Sequence, residues 1–334
     1  MDLGIIGTGW VSEKHLEALQ KIPQVRVVGI AGRNTDRGRE LARRAARAGD
    51  EPRVWDDPVA MVQQARLDAV LVLLPPHAHG DLELEVARRV PAALFEKPVS
   101  NDLAAAERAA EAFEKAGTLV SVGYMNRYRQ TTSKVRELLG AANRPVLING
   151  WWITEIPPPL WWRTKAQSGG QFVEQCTHLV DLARWIGGEI TSVSAFSTRG
   201  FVDNVADYTV DDAVTVNARF VGGALGNFTT GCFPQGNPST GRGTDGVGMT
   251  FASRSTQCTL TGWAMDLAWK DNHGAGAIVE STEDIFEVQD RAFVEAVRSG
   301  DRSGIRSSYP DGVRTLRVTL AAEKSALTGQ VVVV

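Results

Sequence analysis

Cysteine is scarce. The 334-residue chain holds three, Cys176, Cys232 and Cys258. An odd number without metal-ligand spacing argues against a disulfide framework and a thiolate metal centre, and suits reduced thiols. No apolar run reaches the length of a membrane span. No basic-then-apolar leader comes before a first strand that starts at residue 3, so the expected location is the cytoplasm. The formal net charge of -3 supplies no field for nucleic acid or an anionic membrane. Repeats and low-complexity tracts are missing as well. Lysine is sparse beside arginine, so a lysine in an unusual local setting carries more information than it would elsewhere. The length suits two domains.

The chain opens on Leu3-Gly4-Ile5-Ile6-Gly7-Thr8-Gly9-Trp10-Val11-Ser12, a short apolar strand running into a glycine turn. A helical stretch, His15 to Gln20, follows. A dinucleotide phosphate needs that order: Gly7 permits the tight turn, and Gly9 lets backbone approach the pyrophosphate at the positive end of a helix. Thr8, Trp10 and Val11 complete the expected phosphate-binding stretch. Ser12 stands where a third glycine is usual and is small enough to keep helix and strand close.

The first third alternates strands with helices. Strands are expected at Leu3–Ile6, Val25–Ala31, Ala69–Leu74, Ala93–Phe95 and Leu119–Val122, and helices at Arg37–Ala48, Asp81–Arg89 and Ala104–Ala116. Continuous apolar strands separated by helices imply a parallel sheet covered on both faces. This α/β, doubly wound domain is expected over 1–123. The remainder, 124–334, changes pattern: Val214, Val216, Ala218 and Phe220 alternate with Thr215, Asn217 and Arg219. With β-rich runs at Val146–Ile153, Thr191–Thr198, Ala224–Thr230 and Thr256–Gly262, it is expected to form a second α/β domain. Its sheet is large, mostly antiparallel and open on one face. Helices at Gly170–Ile186, Ile285–Ser299 and Gly312–Ala326 are expected to cover the other face. Gly236–Gly248 is expected to be a lid or disordered.

Ligands of a doubly wound sheet sit beyond the carboxyl ends of its strands. Ala93–Phe95 runs into Glu96-Lys97-Pro98, a charged pair directly after a buried strand. The proline holds Lys97 out of helical geometry, and the bond between them is a candidate for the cis form. A lysine partly desolvated beside a cationic nicotinamide can exchange its proton near neutral pH, as acid/base work requires. Further on, Glu174, His178 and Asp181 recur at i, i+4 and i+7, one face of a helix. Glu174 is expected to orient the imidazole, and Asp181 to fix either the imidazole or a substrate hydroxyl. The set has no supporting metal spacing elsewhere, and no metal is expected.

An acid that reads an adenosine 2′-hydroxyl should close the second strand. That strand ends in Ala31-Gly32-Arg33-Asn34, with Asp36 only later. Arg33 with Asn34, Thr35 and Arg37 would suit a 2′-phosphate, so the balance between NADP and NAD leans to NADP. Trp151, Trp152, Trp161 and Trp162 crowd one segment, with Arg163 and Lys165 just after. Aromatic faces stack on the C–H faces of sugars, and basic groups bind hydroxyls. Trp152, Trp162, Arg163 and Lys165 are therefore substrate-binding candidates for a polyhydroxylated ligand. Core or interface packing is the alternative for some of these tryptophans.

Taken together, Gly7-Thr8-Gly9 with His15, Pro75 with His79, Glu96-Lys97-Pro98, Asn126-Arg127-Tyr128, Ser168-Gly169-Gly170, and His178 with Asp181 resemble the Gfo/Idh/MocA oxidoreductase family over nearly the whole chain. That resemblance implies a Rossmann domain followed by an α/β domain with an open sheet. It implies that Lys97 touches the reacting hydroxyl and the nicotinamide ribose, and that His178 is an acid/base. It also places Pro75, His79 and Glu96 at the cofactor, and Asn126 and Tyr128 at the substrate. Members usually carry aspartate where Glu174 stands and glycine where Cys176 stands, so the relay geometry is expected to differ by a methylene. The implied activity is an NAD(P)-dependent dehydrogenase of a sugar or cyclitol, a homodimer or homotetramer through the open sheet. The alternatives are a glycosidase using transient redox, or a non-catalytic cofactor-sensing regulator.

Overall fold

The computed structural model describes residues 1–47, 50–203, 205–234 and 246–334. The chain divides into two compact units, Met1–Met125 with Asp284–Val313, and Asn126–Glu283 with Arg314–Val334.

The first unit is built on a parallel sheet of β1 (Asp2–Ile6), β2 (Arg26–Ala31), β3 (Arg53–Trp55), β4 (Ala69–Val72), β5 (Ala92–Phe95) and β6 (Leu119–Val122). The strand order is β3-β2-β1-β4-β5-β6. Every residue of β4, β5 and β6 is buried, as expected when helices cover both faces. The order reverses between β1 and β4, so the crevice beyond their carboxyl ends is where a nucleotide binds in this topology. The three-residue β3 and the helix Pro58–Gln64 were not expected, because each is too short to show a period.

One helix is placed differently from expectation. Ile285–Ser299, assigned from its pattern to the large sheet, belongs to the first unit. Its Phe293, Val294 and Ala296 pack with Leu16 and Leu19 of the helix Trp10–Gln20. An amphipathic pattern identifies the face to be buried but not the surface that buries it.

The second unit holds β7 (Leu147–Ile153), β8 (Ile190–Thr198), β9 (Ala213–Phe220), β10 (Leu225–Gly231), β11 (Val247–Ala252), β12 (Thr256–Thr261), β13 (Asp266–Asp271), β14 (Gly276–Val279) and β15 (Val332–Val333). They form one sheet in the order β14-β13-β12-β11-β7-β10-β9-β8-β15. Only β7 with β10 is parallel among these pairs. The alternation seen in the sequence of β9 is the alternation of its burial: Val214, Val216, Ala218 and Phe220 point inward. There they join Phe172, Leu179, Leu182, Val318 and Ala322 from the covering helices. The opposite face carries Thr215, Asn217, Asn227 and Thr229, with Asn227 Nδ2 donating to Asn217 Oδ1 at 2.9 Å. Of the expected lid, 236–245 lie outside the described residues, and Val247 already begins β11.

The expected single helix Gly170–Ile186 is in fact two, Gln171–Glu174 and Thr177–Gly187. At the join the Cys176 N–H reaches the Gln171 carbonyl, five residues back, at 3.0 Å. The extra residue breaks the 3.6-residue register and turns what precedes it by about 100°. Glu174 therefore does not share one continuous helix face with His178 and Asp181. Among the described residues no helix is long and apolar enough to cross a membrane.

Candidate active site

In the first unit the turn after β1 has the shape a pyrophosphate needs. Gly7 has φ +116°, and a Cβ there would lie 2.3 Å from the Leu73 carbonyl oxygen. Only glycine fits both demands. Gly9 is the N-cap of the helix Trp10–Gln20 with no side-chain cap, and a Cβ on it would meet no atom within 4 Å. That open space, facing an uncapped helix N-terminus, fits an anionic group held by backbone N–H. Ser12 is fully buried in the third-glycine position. Trp10 is exposed, with its ring edge against Phe286, and Val11 is half-buried.

Beyond β2 the groups expected around a 2′-phosphate divide. Asn34 caps the next helix, its side chain accepting from the Arg37 N–H at 3.1 Å. Arg37 donates Nε to the Thr8 carbonyl at 3.1 Å and pairs with Glu13. Arg33 remains exposed at the strand tip, Thr35 opens the helix, and Asp36 pairs with Arg39 at 2.6 Å.

After β4, Pro75 leads into a short 3-10 turn, Pro76–Ala78. His79, expected at the cofactor, is drawn inward. Its Nδ1 lies 2.5 Å from Glu83 and its Nε2 3.2 Å from the Leu74 carbonyl. Both ring nitrogens are thus engaged within the unit, and the residue shapes the strand-end turn.

After β5 the Lys97–Pro98 bond is cis, Glu96 is buried and Lys97 is half-buried. The Glu96 carboxylate folds back over Gly123, where a Cβ would come within 2.7 Å of its Oε1. Its Oε2 accepts the Lys97 backbone N–H at 3.0 Å. Behind it stands His15, fully buried, with Nδ1 2.9 Å from Asp290 and Nε2 3.5 Å from Glu96. Burial pushes the His15 pKa down, but the Asp290 and Glu96 carboxylates override it and hold it up at about 10. The sequence marks His15 only through the family resemblance and gives no sign of Asp290. A separation of 275 residues leaves no local signal.

In the second unit His178 is buried in the helix Thr177–Gly187 and stacks on Trp152 of β7, ring centroids 5.6 Å apart at 23°. Trp152 is 2 % exposed. Its Nε1 donates to the Gln175 amide oxygen at 2.9 Å, and the Gln175 amide nitrogen donates to Glu174 at 3.1 Å. Trp152, expected to stack on substrate, is instead a wall behind the histidine. Asp181 is buried and receives both Arg127 Nε and Nη2 at 2.7 Å, with the Thr315 hydroxyl at 3.0 Å. That bidentate pair gives a job to Arg127, for which the sequence alone indicates none.

Asn126 and Tyr128 are both buried, and Asn126 Oδ1 accepts from Arg129 Nε at 2.9 Å. Burial brings the Arg129 pKa down to about 10, against the opposing pull of Glu283 and Asp266. Lys165 is held by Asp211 at 2.5 Å and Glu323 at 2.6 Å, so its ammonium is engaged by two carboxylates of its own unit. Trp161 and Trp162 stack on one another at 5.6 Å, and Arg163 beside them is half-buried. Among the described residues no group of acidic, histidine and cysteine side chains could hold a metal ion. All three cysteines are free and buried, and burial raises Cys232 and Cys258 to about 11.

Comparison with known proteins agrees with this reading of the fold. Residues 1–124 match the model described as an oxidoreductase family with an NAD-binding Rossmann fold, and residues 134–244 match the Gfo/Idh/MocA C-terminal domain. The myo-inositol 2-dehydrogenase of Thermotoga maritima is 27% identical over 331 residues, 97% of this chain and 96% of the relative. The inositol 2-dehydrogenase of Rubrobacter xylanophilus is 30% identical over 236 residues, 68% of this chain and 64% of the relative. Among solved structures, the WlbA dehydrogenase of Bordetella pertussis, in complex with NADH and UDP-GlcNAcA, superposes with a TM-score of 0.81. It is 18% identical and covers 99% of this chain and 98% of its own. The glycine turn, the strand order and both matched domains lead to one conclusion: the chain belongs to the Gfo/Idh/MocA family and is an NAD(P)-dependent oxidoreductase acting on CH–OH groups.

Proposed function

We propose that the chain is a dehydrogenase of a sugar or cyclitol, with Lys97 and His178 handling the hydroxyl proton. The observation that carries this is Lys97 at the carboxyl end of β5, in an NAD-binding sheet, in a chain that matches an inositol dehydrogenase almost end to end. When bound, the nicotinamide supplies the hydride acceptor for the carbinol carbon. Gly7 and Gly9 shape the turn that holds the pyrophosphate. Lys97 Nζ hydrogen-bonds the reacting hydroxyl, and its proton passes to Lys97 or His178 as the carbonyl forms. Stacking on Trp152 holds the His178 ring plane, and Glu174 bears on that stack through Gln175 and Trp152. Asn126, Tyr128, Trp162 and Arg163 are the side chains proposed to meet the polyol.

NADP is the proposed cofactor over NAD. No carboxylate stands at the tip of β2, and Arg33 is exposed there. The open face of the large sheet bears exposed Phe196 and Ile278 among its polar residues, and we assign it to contact between copies of the chain. Free, buried cysteines suit a cytoplasmic setting.

The test is nicotinamide reduction by the purified protein on a panel of sugars and cyclitols, with NAD and NADP in parallel. Turnover on a polyol that is lost in Lys97→Ala, with cofactor binding retained, supports the reading. Cofactor binding with no net reduction on any polyol, together with glycoside cleavage, would replace it with transient redox.

A further inference from the structure

Three ionisable side chains from separate parts of the first unit stand in a line: Asp290, His15 and Glu96. Asp290 comes from the returning helix Ile285–Ser299, His15 from the first helix, and Glu96 from the end of β5. Asp290 is 1 % and His15 0 % exposed. Both Asp290 oxygens face His15 Nδ1, at 2.9 and 3.0 Å. The ring edge of Phe286, from the same late helix, closes over the imidazole at 5.3 Å between centroids. On the far side, Nε2 faces Glu96 Oε1 at 3.5 Å, while Glu96 Oε2 holds the Lys97 N–H at 3.0 Å. The missing Cβ of Gly123 is what lets the Glu96 carboxylate lie in this position.

Taking charges out of water is costly, and well-packed apolar residues in place of a buried ion pair are often as stabilising. Stability therefore does not account for a line of buried charge that ends on the backbone of Lys97. We infer that His15, clamped by Asp290, is a positioning residue for Lys97. The imidazolium fixes one oxygen of Glu96, and the other oxygen then anchors the Lys97 backbone, which sets where the lysine side chain starts. Without the imidazolium, the Glu96 carboxylate would no longer be held at this position, and the Lys97 N–H would lose its acceptor. The late helix thereby bears on the strand-end turn through the side chains of Asp290, His15 and Glu96, and the inference rests on the proposal that Lys97 acts at the reacting hydroxyl.

The experiment uses the full chain, with whichever polyol the wild type oxidises. His15→Asn and Asp290→Asn are each made alone and in the Lys97→Ala background, and kcat, KM, cofactor Kd and melting temperature are measured. Asp290→Asn keeps the size of the side chain and provides the same readouts if His15→Asn fails to fold. The expected result is a fall in kcat of about 10²-fold for a misplaced catalytic group, with KM and cofactor Kd within about threefold. In the Lys97→Ala background, where nothing remains to be positioned, neither substitution should lower the residual rate further. An equal further fall there would mean general damage and would overturn the inference. So would an unchanged kcat in folded His15→Asn beside an inactive Lys97→Ala. Full turnover in Lys97→Ala alone would instead remove the reading on which the inference rests.

Discussion

The two units assemble their polar chemistry over different distances along the chain. In the first, the groups proposed to meet cofactor and substrate are sequence neighbours, Gly7 with Gly9 and Glu96 with Lys97, and the long-range Asp290–His15 pair stands behind them. A parallel sheet brings each strand's following loop to the same edge, so a short stretch of sequence is enough to place them. In the second unit the groups are answered from far away. Asp181 is met by Arg127 and Thr315, and Lys165 by Asp211 and Glu323. Helices laid over an open sheet bring together side chains from strands and helices that the sequence separates. Half-buried Lys97, at the end of its strand, can be substituted with little effect on folding, whereas Arg127 and Asp181 are part of the fold.

That contrast can be broken, beginning with its largest consequence. Lys97→Ala should cost about 10²–10⁴-fold in kcat while leaving the melting temperature and cofactor affinity near wild type. A matching loss of stability would erase the distinction. Arg127→Ala should do the reverse, leaving Asp181 a buried charge stripped of its bidentate partner. A loss of about 3–5 kcal/mol is expected for breaking such a pair, read from urea unfolding. A loss under about 1 kcal/mol, the value of an exposed pair, would show that water reaches this carboxylate.

Smaller effects sharpen the same comparison within the first unit. Arg33→Ala should raise the KM for NADP by about tenfold, within the ~1.5–3 kcal/mol of a hydrogen bond to a charged group, and leave NAD unchanged. Equal effects on both cofactors would assign Arg33 to the adenine face. Asn34→Ala should leave cofactor selectivity alone and cost about 1 kcal/mol of stability through the lost helix cap. A change in selectivity instead would mean that the Asn34 amide reaches the nucleotide.

Much of this is legible in the chain itself, and the reasons differ by element. The end of β5 can be read because a buried strand rarely stops on a charged pair such as Glu96-Lys97 merely to meet solvent. β9 can be read because its side chains alternate between a core and a polar face. The partners of His15, Asp181 and Lys165 cannot, since each contact joins segments that no local pattern connects. His79 is placed at the cofactor only by the family resemblance that Pro75 and His79 help to carry. The structure engages both of its nitrogens, with Glu83 and the Leu74 carbonyl.

By itself the sequence determined the doubly wound first sheet, the glycine turn, the charged end of β5 and the alternation of the second sheet. Each arises from backbone geometry and hydrophobic period within a few residues. Only the tertiary structure decided that Ile285–Ser299 returns to the first unit, that the helix breaks between Glu174 and Thr177, and that Asp290 stands behind His15 and Glu96. Those features depend on which buried faces meet and which charges must be neutralised once water is excluded, and a chain carries no short-range record of either.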